Sequence, residues 1–175
     1  MDDIVLRDLS GAIKNSTEKW PLIIDQNELA ATFLRYRDTN YMNCLDAQSM
    51  KPDRFRLALV GAIRYGKPFV VDLMKYDQEL LESVRTVCGQ VTPRYPELFD
   101  ELANKRILLD DHFMRLVEPG KDGKEYEAQY FNKSRLDHFK LLFVTSNPYP
   151  CKWLLQNTLP IKIVSAGKAD DLYDF

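Results

Sequence analysis

Three short apolar runs, each leading into a polar or acidic residue, dominate the hydrophobic pattern of the chain. The central run, Phe69–Met74, follows a segment of helical periodicity that stops at Gly66–Pro68. β-Branched and aromatic residues directly after such a stop indicate a buried strand that follows a crossover helix. Pro21–Asp25 and Phe139–Asn147 have the same character. The pattern therefore predicts three central strands of a parallel sheet.

The segments between these runs alternate between helical and extended patterns. Apolar residues at helical spacing predict helices, and alternating or short apolar runs predict two further strands. This order is typical of a three-layer α/β sandwich with a mostly parallel sheet, of either the doubly wound or the P-loop type. The predicted elements are helices at Leu29–Tyr36, Arg54–Tyr65, Gln78–Val87 (ending at Cys88 and Gly89) and Glu97–Asn104, and strands at Tyr41–Leu45 and Pro160–Val164.

The distribution of polar residues divides the chain into a domain with two flanking segments. Residues 1–19 are mixed and polar and are interpreted as an N-terminal arm. Residues 20–165 form the α/β domain, and residues 166–175 form a flexible acidic tail. A chain of 175 residues, 45% of them hydrophobic, suffices for one domain with a core of its own.

Charge and cysteine content narrow the classes of partner and compartment. The net charge of -2 gives no global attraction to nucleic acid or to anionic lipid, and neither is expected as a partner. Cys44, Cys88 and Cys151 are far apart and odd in number, which predicts free thiols in a reducing compartment and no metal site. The N-terminus lacks signal-peptide character, and no run approaches the ~20 apolar residues of a membrane span. These features predict a cytoplasmic protein.

Several segments resemble one family of motor proteins. Trp20–Gln26 resembles the Trp-Pro-Leu-(Met/Ile)-Ile-Asp-Pro-Gln run that begins the fifth AAA module of dynein heavy chains. Ala62–Pro68 is similar to the lead-in to the central strand of that module, and Phe139–Pro148 is similar to a later strand. Ala30–Tyr41 is closer still to the C-terminal dynein-related domain of the IQ-motif and ankyrin-repeat proteins. The resemblance extends over roughly residues 19–164 and implies an AAA-like sheet.

The loop after the first strand bears on nucleotide chemistry. A P-loop ATPase needs Gly-x4-Gly-Lys-Ser/Thr at this point, because its backbone amides and lysine hold the phosphates. This chain has Asp25, Gln26, Asn27 and Glu28 there, without glycine or lysine and with two carboxylates that repel phosphate. ATP hydrolysis is therefore not expected.

Two further polar residues follow the later core strands. Asp72 stands where a Walker B acid holds Mg²⁺, and Asn147 stands where the resemblance places a polar sensor residue. An acid in this position also caps a neighbouring loop or pairs with a cation such as Lys75, and without a nucleotide loop this second interpretation is favoured. Asn147 with Pro148 is also an ordinary turn. Asp25, Gln26, Asn27, Asp72 and Asn147 are thus predicted to be a vestigial nucleotide site.

Aromatic residues mark a second candidate surface. Tyr126, Tyr130 and Phe131 lie in a polar segment beside Lys124 and Lys133. They form either an interaction surface for a protein or a cover over neighbouring structure. The sequence leaves both interpretations open.

The resemblance implies a non-catalytic AAA-like scaffolding or interaction module with a protein partner, no cofactor and a cytoskeletal or ciliary setting. Two alternatives stay open. The first is a fragment of a dynein-type motor that binds Mg-ATP or Mg-ADP, and the second is a regulatory binding module of a cytoskeletal or ciliary assembly. His112 and His138 lie in no recognisable catalytic arrangement, so no catalytic residue is predicted.

Overall fold

The computed structural model describes residues 6–8, 11 and 19–164. The predicted acidic tail lies outside the described residues, as does most of the predicted N-terminal arm. Within the described part, backbone hydrogen bonds join the strands into one sheet.

The sheet of the described residues has five parallel strands in the order β2-β3-β4-β1-β5. The strand that is fourth in the chain, β4, lies between β1 and β3 in the sheet. The connections between successive strands therefore pass over the faces of the sheet through helices, as a parallel sheet requires. The predicted α/β fold with a parallel, P-loop-like sheet is confirmed. The strands are β1 (Trp20–Ile24), β2 (Asn40–Asn43), β3 (Pro68–Asp72), β4 (Lys140–Thr145) and β5 (Thr158–Lys162).

Helices connect these strands and form the two outer layers. The longest two carry apolar stripes that face the sheet, and between residues 106 and 130 the chain forms short 3₁₀ turns. The helices are α1 (Leu29–Arg35), α2 (Pro52–Tyr65), α3 (Asp77–Val91), α4 (Leu98–Ala103), α5 (Lys133–Leu136) and α6 (Lys152–Asn157).

Different helices pack against the two faces of the sheet. Alternate side chains of β1, β3 and β4, such as Leu22, Phe69 and Phe143, join the large core formed with α2, α3 and α4. The intervening side chains, such as Ile23 and Val70, pack against α1 and Leu6. The sheet is therefore the middle layer of a three-layer sandwich.

The end of one helix differs from the sequence prediction. Helix α3 was predicted to stop at Gly89, but it continues to Val91, which is buried. An internal glycine costs a helix only about 1 kcal/mol, and burial of Val91 offsets that cost. Helix α2 does end at its predicted glycine. Gly66 has φ 68°, and a Cβ there would lie 2.5 Å from the carbonyl oxygen of Arg135.

The predicted free thiols are found as free cysteines. Cys44 and Cys88 are buried, and Cys151 is half-buried. Burial raises the pKa of Cys88 to about 12 and also raises the pKa of Cys44. Both thiols therefore remain protonated in the folded protein at neutral pH.

A buried arginine fastens the segment after residue 116 to α2. The guanidinium of Arg56 is 0% exposed and forms two hydrogen bonds to the carboxylate of Asp122, at 2.7 and 2.9 Å. Its Nη1 also donates to the carbonyl oxygen of Leu116 at 2.8 Å. This bidentate pair holds the turn at residues 118–122 against the helix.

Candidate functional site

The carboxyl edge of the sheet gathers the polar residues that end the core strands. Asp25 follows β1, Asp72 ends β3 and Asn147 follows β4, so the parallel arrangement brings all three to one edge. Thr145 links their loops, because its carbonyl oxygen accepts from Asp25 N and its hydroxyl donates to the carbonyl oxygen of Met74. The structure thus brings the predicted residues to the edge where α/β proteins bind ligands.

Asp25 caps the first helix from within the chain. Its carboxylate, which is 1% exposed, accepts hydrogen bonds from Ala30 N at 2.6 Å and from Asn27 N at 3.0 Å. The residue before α1 is Glu28, whose side chain makes no capping bond. The amide of Asn27 in the loop and the amide of Ala30 in the first turn of α1 therefore already have an anionic partner. Gln26 and Asn27 are exposed beside it.

Asp72 is a buried acid whose hydrogen bonds join three elements. Its carboxylate is 2% exposed, and it accepts from the Tyr41 hydroxyl, from Met74 N at 3.0 Å and from Arg35 Nη2 at 3.4 Å. An acid that caps a loop and pairs with a cation was the favoured interpretation. The cation is Arg35, whereas the ammonium of Lys75 lies 5.2 Å from the centre of the Tyr76 ring.

Asn147 organises the loop after β4. Its side-chain amide donates to Asp77 Oδ1 at 2.6 Å, and its own Oδ1 accepts from Tyr149 N at 3.0 Å. Asp77 Oδ2 in turn accepts from Cys151 N at 2.5 Å. Asp77 is 2% exposed, so this acid at the start of α3 holds the loop that Asn147 begins.

Sequence reasoning did not single out Arg35, Tyr41 or Asp77 as members of the site. Arg35 and Tyr41 lie 37 and 31 positions from Asp72, and no local pattern connects them. Asp77 offered a local signal, an acid directly before a predicted helix, but such an acid usually indicates only a favourable interaction with the helix dipole.

Two loops of this edge contain non-glycine residues in the left-handed region. Glu28 has φ 57° in the loop after β1, and Met74 has φ 51° in the loop after β3. Such residues cost about 1–2 kcal/mol each relative to a relaxed backbone. The hydrogen bonds of Asp25 and Asp72 lie directly beside these residues and offset that cost.

The aromatic residues of the second candidate surface have unequal exposure. Phe131 packs against Phe113 with 4.8 Å between ring centres, and Tyr126 is partly buried against the main core. Tyr130 is 46% exposed, and the guanidinium of Arg64 lies 5.9 Å from its ring centre. Phe131 and Tyr126 therefore contribute packing, and Tyr130 is the most exposed of the three.

Both histidines have close polar partners, and the described residues show no cluster of metal-ligating side chains. No group of three or more His, Cys, Asp or Glu side chains that could hold a metal ion occurs within residues 6–8, 11 and 19–164. His112 Nδ1 is 2.7 Å from Glu101 Oε2, and His138 Nδ1 is 2.5 Å from the carbonyl oxygen of Ser134.

Tyr41 makes the stability of the fold sensitive to alkaline pH. Burial and the bond to Asp72 raise the pKa of Tyr41 above its ordinary value. The unfolded chain then loses this proton near pH 10 while the folded chain keeps it, so stability is full below pH 10 and falls above it. Burial likewise raises the pKa of Tyr95.

We expect the free energy of unfolding to fall more steeply above pH 10 in the wild type than in Tyr41→Phe. Each such group contributes up to about 1.4 kcal/mol per pH unit. Urea unfolding between about pH 8 and pH 11 measures the two slopes. Tyr36→Phe, at an exposed position, is the control. Equal slopes in the wild type and Tyr41→Phe would contradict the assignment.

Comparison with known proteins gives no further identification. A scan against protein-family models finds no matching family, and a search of solved structures finds no matching structure. Within the described part of the chain, no helix is both long and apolar enough to cross a membrane.

Proposed function

We propose that this chain is a non-catalytic AAA-like scaffolding or interaction module, related to the fifth AAA module of dynein heavy chains. The main support is the buried carboxylate of Asp25, which accepts hydrogen bonds from Asn27 N in the loop before α1 and from Ala30 N in its first turn. In a P-loop these are the kind of donors that hold phosphate. Here they are hydrogen-bonded to a side chain whose charge repels phosphate.

The second acid supports the same proposal. The carboxylate of Asp72 accepts hydrogen bonds from the Tyr41 hydroxyl, Met74 N and Arg35, and a Mg²⁺ ion would have to displace these donors. The sequence also lacks the glycine and lysine of a phosphate-binding loop after β1. We infer that both residues retain the positions of a nucleotide site while serving the fold. The resemblance to dyneins favours a protein partner in a cytoskeletal or ciliary assembly.

We expect no change in Tm on adding Mg-ATP or Mg-ADP. A nucleotide that bound only the folded state with a Kd near 1 mM would, at about 10 mM, contribute about 1.4 kcal/mol of stability. For a domain of this size that is a rise of roughly 3–5 °C. Thermal unfolding with Mg²⁺ alone and with EDTA and ATP supplies the controls. A rise of several degrees that needs both Mg²⁺ and nucleotide would contradict the proposal and favour the nucleotide-binding alternative.

A further inference from the structure

A cavity of about 960 Å³ lies at the amino edge of the sheet, the edge opposite the strand ends that carry Asp25 and Asp72. Its lining includes Trp20, the first residue of β1, and Lys140, the first residue of β4. Small-molecule sites usually have volumes of about 300–1,000 Å³. The cavity is therefore large enough to take an organic ligand.

Apolar side chains supply much of the lining. The rings of Trp20 and Phe139 meet edge to face with 5.9 Å between their centres, and Trp20 Nε1 donates to the carbonyl oxygen of Leu102 at 2.7 Å. These contacts fix two nearly buried rings, so this part of the cavity is preformed. Side chains that are only half-buried offer a ligand more surface, namely Leu6, Leu108, Phe131 and Leu136.

Positive charge exceeds negative charge in the lining. Among the described residues, the acids that line the cavity are Asp8, Asp111 and Asp137, and His138 adds no charge when it is neutral. The lining cations exceed these acids by two, and a cleft with such an excess attracts anions. The cations are Arg7, Lys19, Lys105, Lys133 and Lys140.

Two of the lysines place positive charge directly beside apolar groups. The ammonium of Lys105 lies 4.4 Å from the centre of the Trp20 ring, and Lys140 Nζ donates to the carbonyl oxygen of Leu6 at 2.7 Å. Burial lowers the pKa of Lys140, and the charge of Asp8 opposes this effect only in part. The protein therefore stabilises the charged amine less than water does, and a nearby anion would offset the difference.

We propose that this cavity binds a small organic carboxylate with an apolar body, whose charge lies beside the lysines and whose body contacts the half-buried apolar side chains. The apolar lining favours an apolar body, and an excess of two positive charges suits a singly charged group better than a polyphosphate. A non-catalytic module can bind such a molecule as well as an active one can, so this site is independent of the proposed function.

Isothermal titration calorimetry on the full chain tests the proposal with two probes, octanoate and 2-naphthoate, which have an alkyl and an aromatic body. We expect saturable binding of at least one of them, with a Kd below about 1 mM. Acetate has the charge without the apolar body, and octanamide has the apolar body without the charge. Both should bind at least about tenfold more weakly.

Lys133 and Asp137 offer a paired test, because both are exposed in the lining and their charges are opposite. Lys133→Met should weaken carboxylate binding about two- to fivefold, and Asp137→Asn should strengthen it by a similar factor. Neither change should alter the binding of octanamide. Lys140→Met should cause the largest loss, about tenfold. The exposed pair keeps the test decisive if Lys140→Met does not fold.

Lys51→Met is the matched control for Lys133→Met. Lys51 is also exposed, but it precedes α2 and lies outside the lining of the cavity, so carboxylate binding should not change. Equal losses in the two variants would overturn the proposal, because the effect would then come from the overall charge of the chain.

Three further results would also overturn it. These are the absence of saturable binding of both probes up to about 5 mM, equal affinity for octanoate and octanamide, and loss of binding in EDTA. The last result matters because a carboxylate held by lysines needs no Mg²⁺, whereas nucleotide binding at the carboxyl edge would need it. Failure of the carboxylate site therefore leaves the proposed function untouched.

Discussion

Replacing Asp122 by alanine should destabilise the fold by about 3–5 kcal/mol, the usual cost of removing one partner of a buried ion pair. Arg56 lies on α2 with no exposed side-chain surface, and Asp122 supplies both oxygens of its bidentate contact. The same carboxylate accepts from Glu118 N at 2.7 Å, so the variant also loses a bond that shapes the turn. Urea unfolding measures the loss.

Asp53→Ala is the matched control for Asp122→Ala. Its carboxylate also faces Arg56, with Oδ1 3.9 Å from Nε, but it is 64% exposed and pairs with Lys121. Exposed pairs of this kind contribute at most about 1 kcal/mol. A second variant, Arg56→Met with Asp122→Leu, should recover most of the stability, because it removes both buried charges. A loss below about 1 kcal/mol in Asp122→Ala would contradict the assigned role of the pair.

The Arg56–Asp122 pair also makes the stability of the fold depend on pH in the acidic range. Burial alone would raise the pKa of Asp122, but the hydrogen bonds and charge of Arg56 outweigh it, so the pKa lies below its ordinary value. The stability that this shift contributes is present above the unfolded pKa, near 3.9, and is lost as the pH falls through the folded pKa.

The sequence predicted the sheet because buried parallel strands have a local signature. Phe69–Val71 and Leu141–Val144 are continuous apolar runs, and the helix ahead of β3 ends at a glycine that the backbone requires. Local patterns also identified Asp25, Asp72 and Asn147 as residues of one edge, since parallel strands share their carboxyl ends. Each of these predictions rests on residues that are close together in the sequence.

The partners of those residues could not be predicted in the same way. Lys75 was the sequence-based candidate to neutralise Asp72 because it is close in the chain, but Arg35 reaches the carboxylate across 37 positions. The Arg56–Asp122 pair spans 66 positions, and nothing near either residue indicates the other. Side-chain pairing over such separations follows from the packing of α1 and α2 on the sheet, which a single sequence does not specify.

Asp72→Ala should cost about 2–4 kcal/mol in the free energy of unfolding. The substitution leaves Met74 N and the half-buried Tyr41 hydroxyl without their acceptor, and unsatisfied buried donors cost about 1–3 kcal/mol each. The Arg35 side chain is 46% exposed, so its guanidinium turns to water at little cost. Asp72→Asn should lose less, because its amide oxygen still accepts from Met74 N.

Asp38→Ala is the control for Asp72→Ala. Its carboxylate also forms an ion pair, with Lys67 at 2.6 Å, but it is 81% exposed, and we expect a loss of at most about 1 kcal/mol.

The sign of the effect of Asp72→Ala separates the two interpretations of this residue. Acids held ready for a metal or a substrate commonly reduce the stability of the empty protein, so replacing such an acid by alanine is neutral or stabilising. Asp72 instead satisfies donors from β2, α1 and its own loop, including the amide of the left-handed Met74. A clear loss of stability, unchanged by about 10 mM Mg²⁺, is therefore expected of a structural acid. A stability gain in Asp72→Ala, together with stabilisation of the wild type by Mg²⁺, would assign the residue to a metal site and contradict its role in the fold.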